Sequence, residues 1–249
     1  MKSMTAALIC STLALAAALP AQAQDASSTL SFNASLTSDY RYRGISQSRL
    51  KPALQGGLDY AHASGFYLGA WGSTIKWIKD IPGGDAGYEL DLYGGYKTEI
   101  SKGLTLDLGL LSYVYPSNKL NPSANTTELY AALSYGPVTA KYSHAVTNTF
   151  GNADSKNSGY LDLSASFELA DGWMLAPHLG HQKIKGPVGG SASYTDYSLT
   201  LSKDFSGLVP SVALVGTNAD KGFYVPGTNA NSSKFLGKSA LVVALKYNF

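Results

Sequence analysis

From Thr29 to the C-terminus, apolar and polar side chains alternate with a period of two, and no stretch repeats at helical spacing. Leu161, Leu163, Ala165, Phe167 and Leu169 share one parity, while Asp162, Ser164, Ser166 and Glu168 share the other. Leu104, Leu106, Leu108 and Leu110 alternate in the same way with Thr105, Asp107 and Gly109, and Tyr88, Leu90, Leu92 and Tyr96 with Glu89, Asp91, Tyr93 and Lys97. Successive side chains of a strand point to opposite faces. Each segment therefore predicts one greasy and one polar face, and a slip of one residue would turn every carboxylate to the wrong side. Most segments run for about ten residues, the length with which a tilted strand crosses a bilayer.

Twelve such segments are expected, over 29–43, 53–62, 65–75, 87–99, 104–115, 126–135, 138–147, 158–169, 173–183, 194–204, 208–217 and 238–249. Two fit less well: 65–75 places Tyr67 and Trp71 on the polar parity, and 208–217 contains Pro210 and is apolar on both faces. The links alternate in length. Tight turns at 63–64, 101–103, 136–137, 171–172 and 205–207 separate longer links at 44–52, 76–86, 116–125, 148–157, 184–193 and 218–237. An even strand count, with short turns on one side and long loops on the other, predicts an all-β transmembrane antiparallel up-and-down barrel of about twelve strands. A water-soluble sandwich has no reason to keep that alternation. The 218–237 link, the longest, is the best candidate to fold into the bore, although its Asn, Ser and Gly content equally suits a mobile external loop.

The N-terminus has a different character. Lys2 precedes an apolar run from Ala6 to Leu19, and Pro20 is followed by Ala21-Gln22-Ala23. This is a secretory signal with cleavage expected after Ala23, leaving 24–249 as one domain. The run is shorter than the ~20 residues a spanning helix requires. Cys10, the only cysteine, lies inside this segment, so the mature chain offers neither a disulfide nor a thiolate metal site. A net charge of +2 gives no nucleic-acid footprint.

Aromatic residues provide an independent check. With the short turns on one side, Tyr60, Phe66, Tyr96, Tyr135, Trp173, Tyr247 and Phe249 gather at that rim, and Tyr40, Tyr42, Tyr88, Tyr142 and Tyr197 at the other. Tyr and Trp favour the headgroup level of a membrane because the ring is apolar and the tip is wet. In the last segment, Leu241, Val243, Leu245, Tyr247 and Phe249 form one unbroken apolar face up to the terminal carboxylate. That pattern looks like the terminal signal by which barrel-assembly machinery recognises outer-membrane barrels.

Four segments carry a more specific likeness: 36–48 (LTSDYRYRGISQS), 52–60 (PALQGGLDY), 65–73 (GFYLGAWGS) and 88–96 (YELDLYGGY). Together they resemble the TorF-like porin family, long catalogued as bacterial proteins of unknown function. Thr74 stands where that family is expected to carry Asn. The resemblance implies a porin-like barrel of the bacterial outer membrane and no particular substrate.

With apolar faces toward lipid, the bore is lined by Asp39, Arg41, Arg43, Asp59, Glu89, Asp91, Lys97, Asp107, Glu128, Lys141, Asp162, Glu168, Asp196 and Lys246. These groups either line a wet pore or pair with one another and close it. Acids outnumber bases in this lining, while lysines outnumber acids in the long loops, a balance that draws anions to the mouth but favours cations in transit. The loop lysines equally suit contacts with lipopolysaccharide phosphates. Arg41 and Arg43 suggest a constriction or a solute contact, since the planar guanidinium binds carboxylate, phosphate and sugar groups; the alternative is pairing with Asp39 or Asp59. For an enzyme, Ser143-His144 is the nearest Ser–His pair, but neighbours in a strand face opposite ways. No HExxH or GxSxG spacing occurs, and no cofactor or metal is expected. The sequence thus predicts diffusion of small hydrophilic solutes or ions through an outer-membrane channel. A non-conducting adhesive or structural barrel, and a barrel-embedded lipid-modifying enzyme, are the alternatives.

Overall fold

A computed structural model describes residues 28–249. The expected signal segment, with Cys10, lies outside the described residues. Twelve strands form the wall: β1 (Thr29–Thr37), β2 (Ala53–Ala61), β3 (Phe66–Thr74), β4 (Tyr88–Ser101), β5 (Leu104–Val114) and β6 (Thr126–Tyr135), then β7 (Val138–Ala145), β8 (Gly159–Ala165, continued by Phe167–Glu168), β9 (Trp173–Lys183), β10 (Tyr194–Lys203), β11 (Leu208–Thr217) and β12 (Ala240–Asn248). Each pairs antiparallel with the next. The circle closes where β12 meets β1, with Asn33 opposite Asn248 and Thr37 opposite Ala244. Closure leaves no strand edge with unpaired backbone groups, as a chain surrounded by hydrocarbon requires. The ladder between β8 and β9 lapses between Ser164, opposite His178, and Phe167, opposite Leu175, and Pro177, a residue with no N–H to give, lies in that gap.

The barrel is built inside out relative to a soluble protein. Every one of the twelve strands exposes a large apolar side chain, from Leu36 on β1 through Leu68, Leu163 and Leu214 to Leu241 on β12, which is 70% exposed. Such a continuous apolar belt far exceeds what a soluble monomer leaves in water. Exposed aromatics stand at both ends of the belt, with Phe66, Tyr96, Tyr135, Trp173, Tyr247 and Phe249 toward the short turns and Tyr88, Tyr142 and Tyr197 toward the long loops. The two weaker segments form strands as expected. On β3, Tyr67 and Trp71 face the bore, which explains why they fall on the polar parity.

The first segment needs correction. Its strand ends at Thr37 rather than at residue 43, and the chain then turns into the barrel as a small hairpin, Arg41–Tyr42 paired with Ile45–Ser46. Arg43 (φ 44°) and Gly44 (φ 78°) form its two-residue turn, the left-handed pair that matches the twist of a tight hairpin. Tyr40 and Tyr42 are accordingly absent from the outer rim, being 2% and 8% exposed inside the bore. It is thus the first long loop, not the sixth, that crosses the interior. The sixth lies against it: Leu236 is buried, and its carbonyl accepts the N–H of Ser46 at 3.1 Å.

Candidate pore interior

At the long-loop end the inner hairpin is packed on both faces. Tyr40 and Tyr42 meet the wall and loops of β3 to β6, with Trp71, Leu111, Tyr113 and Phe150 against them. On the other face Ile45 packs with Tyr194, Ala219 and Leu236. Asp39 organises the turn, accepting hydrogen bonds from Arg41 Nε at 2.6 Å, Ser46 Oγ at 2.5 Å and Ser48 Oγ at 3.1 Å. Arg41 Nη1 donates to the carbonyls of Gly44, Leu236 and Lys238, which ties the first loop to the sixth. Arg41 is 1% exposed, so its guanidinium is committed to the fold.

Arg43, at the hairpin tip, spans to the far wall. Its Nη2 donates to Glu128 Oε2 on β6 at 2.7 Å, and its Nη1 donates to Gln182 Oε1 on β9. The guanidinium carbon stands 4.0 Å from the ring centroid of Tyr160 on β8. Gly44 is pressed so closely to β10 that an added Cβ would lie 2.9 Å from Asp196 Cβ. At this level the bore is crossed by chain from one side to the other. Outside it, at the loop rim, Lys119 Nζ donates to Asp85 Oδ2 at 2.8 Å, and that hydrogen bond holds the exposed Asp85 carboxyl below its ordinary range.

Toward the short turns the lining loosens, and one arc of wall carries a linked set of half-buried groups. Tyr67 faces Gly95 across the β3–β4 ladder, Gly95 faces Gly109 across β4–β5, and Gly109 faces Tyr130 across β5–β6. The two rings lean over the glycines and their hydroxyls meet, while Tyr67 also donates to Asp107 Oδ1 at 2.5 Å. A side chain at Gly95 would run into the Tyr67 hydroxyl, with an added Cβ only 2.5 Å away. Tyr93 repeats the device, lying over Gly69 and donating to Asp59 Oδ1. Lys141 Nζ stands 3.9 Å from the Tyr130 ring centroid. Lys97 is paired in register with Asp107.

The opposite arc holds a compact polar knot. His178 Nε2 lies 2.7 Å from Asp162 Oδ2, and the Tyr160 hydroxyl donates to Asp196 Oδ1 at 3.0 Å. Back on β4, at the level of the hairpin, Glu89 accepts the Tyr40 hydroxyl at 2.6 Å, while Asp91 beside it is buried with one carboxylate oxygen unpartnered. Lys246 is half-buried on β12, opposite Ser35 and Val209. Glu168 is exposed near the short-turn end, past the break in β8. The interior therefore carries Asp59, Glu89, Asp91, Asp107, Glu128, Asp162 and Asp196 against Arg43, Lys97, Lys141 and Lys246, with Arg41 neutralised by Asp39.

The sequence reading gathers most of these charged groups on the inside and puts Tyr67, Trp71 and Tyr93 on the polar parity, but it assigns no role to them or to Tyr130, Tyr160, His178 and Gln182. The position of Tyr67 and Trp71 on the polar parity, opposite Gly95 on β4 and Gly57 on β2, is the signal for two of them. Ser143 is buried, while its neighbour His144 approaches Asn157 on the exposed side, so the pair does not converge.

A closed antiparallel barrel with an apolar outer surface and an ionisable interior is a transmembrane β-barrel. The chain belongs to the Gcw_chp family, described as a bacterial protein of unknown function, which matches residues 21–249. Among solved structures it is similar to the KdgM porin, with a TM-score of 0.55, 10% identity, and coverage of 89% of this chain and 99% of that one. It is likewise similar to the NanC porin, with a TM-score of 0.56, 11% identity, and coverage of 89% and 99%. At such identities the likeness is one of fold. No curated protein matches the sequence.

Proposed function

We propose that the protein is a porin-like channel of the bacterial outer membrane, passing small hydrophilic solutes or ions by diffusion, with the inner hairpin as its constriction. The observation that carries this reading is the change in packing along the bore. Groups at the hairpin are buried, whereas Asp59, Tyr67, Tyr93, Asp107, Tyr130 and Lys141 below it remain half-exposed inside a wall whose outside is apolar. A stripe of charged groups with no reason to contact lipid is what a water-filled passage needs. The export signal at 1–23 and the apolar terminal face from Leu241 to Phe249 fit delivery to the outer membrane and its assembly machinery. The short turns then face the periplasm, and the long loops, with their lysines, meet lipopolysaccharide. The likeness of residues 36–96 to the TorF-like porins agrees with this.

Single-channel recording of the purified protein in planar bilayers, with a salt gradient to read selectivity, tests the proposal. Stepwise conductance with a defined reversal potential is expected. A second reading, a non-conducting barrel serving the envelope structurally, is favoured by the packed apolar clusters on both faces of the hairpin. Silent bilayers with correctly folded barrel would select it.

A further inference from the structure

We infer that the tyrosine-lined arc below the hairpin is a binding subsite for small organic cations, alkylammonium ions held over the faces of Tyr67 and Tyr93 beside Asp59 and Asp107. The inference rests on the channel reading and supplies its solute class.

The rings are fixed by the wall itself. Tyr67 lies over Gly95 and Tyr93 over Gly69, so each ring covers bare backbone, and both stay half-exposed on the polar side of the wall. Each hydroxyl donates to a carboxylate, Tyr67 to Asp107 and Tyr93 to Asp59. A phenol donating to an anion gains electron density in its ring, and a richer π face attracts cations more strongly. The carboxylate at the ring edge adds direct attraction for the same charge. The wall already shows this chemistry: the Lys141 ammonium stands on the Tyr130 ring of the same arc. Compact inorganic cations are strongly hydrated and gain little from an aromatic face, whereas alkylammonium ions also bury methyl groups against it. Over the whole interior carboxylates outnumber basic groups, which favours cations over anions along the bore.

The test uses tetraethylammonium as probe and the full barrel in two formats. Titration calorimetry in detergent reads binding without requiring conduction, and bilayer recording in potassium chloride reads block of the current. Saturable binding of tetraethylammonium is expected, with no response to benzenesulfonate, an anion of similar bulk. The double variant Asp59→Asn/Asp107→Asn keeps an acceptor for each tyrosine hydroxyl and should weaken binding about tenfold. Tyr93→Leu should weaken it as well, and Tyr93→Phe, which keeps the ring, should restore most of it. Heat-modified gel mobility verifies that each variant is a folded barrel. Absence of tetraethylammonium binding, equal response to the anion, or an undiminished affinity in the double variant overturns the subsite. Silent bilayers with intact, variant-sensitive binding would overturn the channel and leave the subsite standing.

Discussion

Tyr67 and Tyr130, on strands three apart in the barrel wall, meet hydroxyl to hydroxyl above Gly95 and Gly109. Two large side chains thus share a layer that two absent side chains leave free. The arrangement fills the space over the two glycines and joins β3 to β6 without a covalent link.

The glycines are therefore structural requirements. In Gly109→Ala the new methyl would meet the Tyr130 ring and lie 2.8 Å from the Gly94 carbonyl oxygen, which is backbone and cannot move aside. A loss of about 1–3 kcal/mol is expected, the usual cost of overpacking. Guanidinium unfolding of the refolded barrel in lipid vesicles measures it, and an unchanged midpoint would remove the steric role given to this row.

The Arg43–Glu128 pair is the latch of the hairpin. Removing one partner of a buried ion pair leaves the other uncompensated, at a cost of about 3–5 kcal/mol. Arg43→Gln and Glu128→Gln should each loosen the hairpin, raise single-channel conductance and open the 38–52 segment to protease. The double variant should be less affected than the sum of the two. Wild-type conductance in both single variants would mean that the hairpin does not set the constriction.

The outer face should behave as a lipid contact. Leu163, about half exposed at mid-strand on β8, alternates with the interior Asp162. Leu163→Arg should destabilise the inserted barrel by about 2–4 kcal/mol, the penalty for a charge at the membrane midplane. Folding titrations in vesicles check this, and tolerance of the arginine would place water where hydrocarbon is expected.

Phe249 stands at the closing seam. Phe249 is highly exposed, while its N–H donates to the Phe32 carbonyl at 2.9 Å, so the terminus is fastened to the closing seam. Deleting Phe249 should reduce assembled barrel in the membrane of cells while leaving detergent refolding largely intact. Equal loss in both settings would point to the seam hydrogen bond rather than to recognition by assembly machinery.

Much of this was legible in the linear pattern. Alternation such as Leu161-Asp162-Leu163-Ser164 is local, and two-fold periodicity directly states which side chain points where. It was least informative from residue 38 to 48. There Tyr40 and Tyr42 continue the parity of Leu36, so the strand reads on through a segment that has left the wall. A hairpin inside a closed barrel is covered on both faces, and alternation then carries no information about direction. The Arg43-Gly44 pair, between Tyr42 and Ile45, was the available clue, because Gly in a two-residue link marks a tight hairpin turn.

The sequence by itself determined that this chain becomes a barrel of about twelve strands with a greasy exterior and a polar interior, because those properties follow from the spacing of neighbours along a strand. Only the tertiary structure decided which loop enters the bore, that Arg43 is spent on Glu128, and that Tyr67 and Tyr130 lie over glycines on intervening strands. Those are contacts between residues far apart in sequence, fixed by closure of the ring and by the limited volume inside it. No local periodicity encodes them.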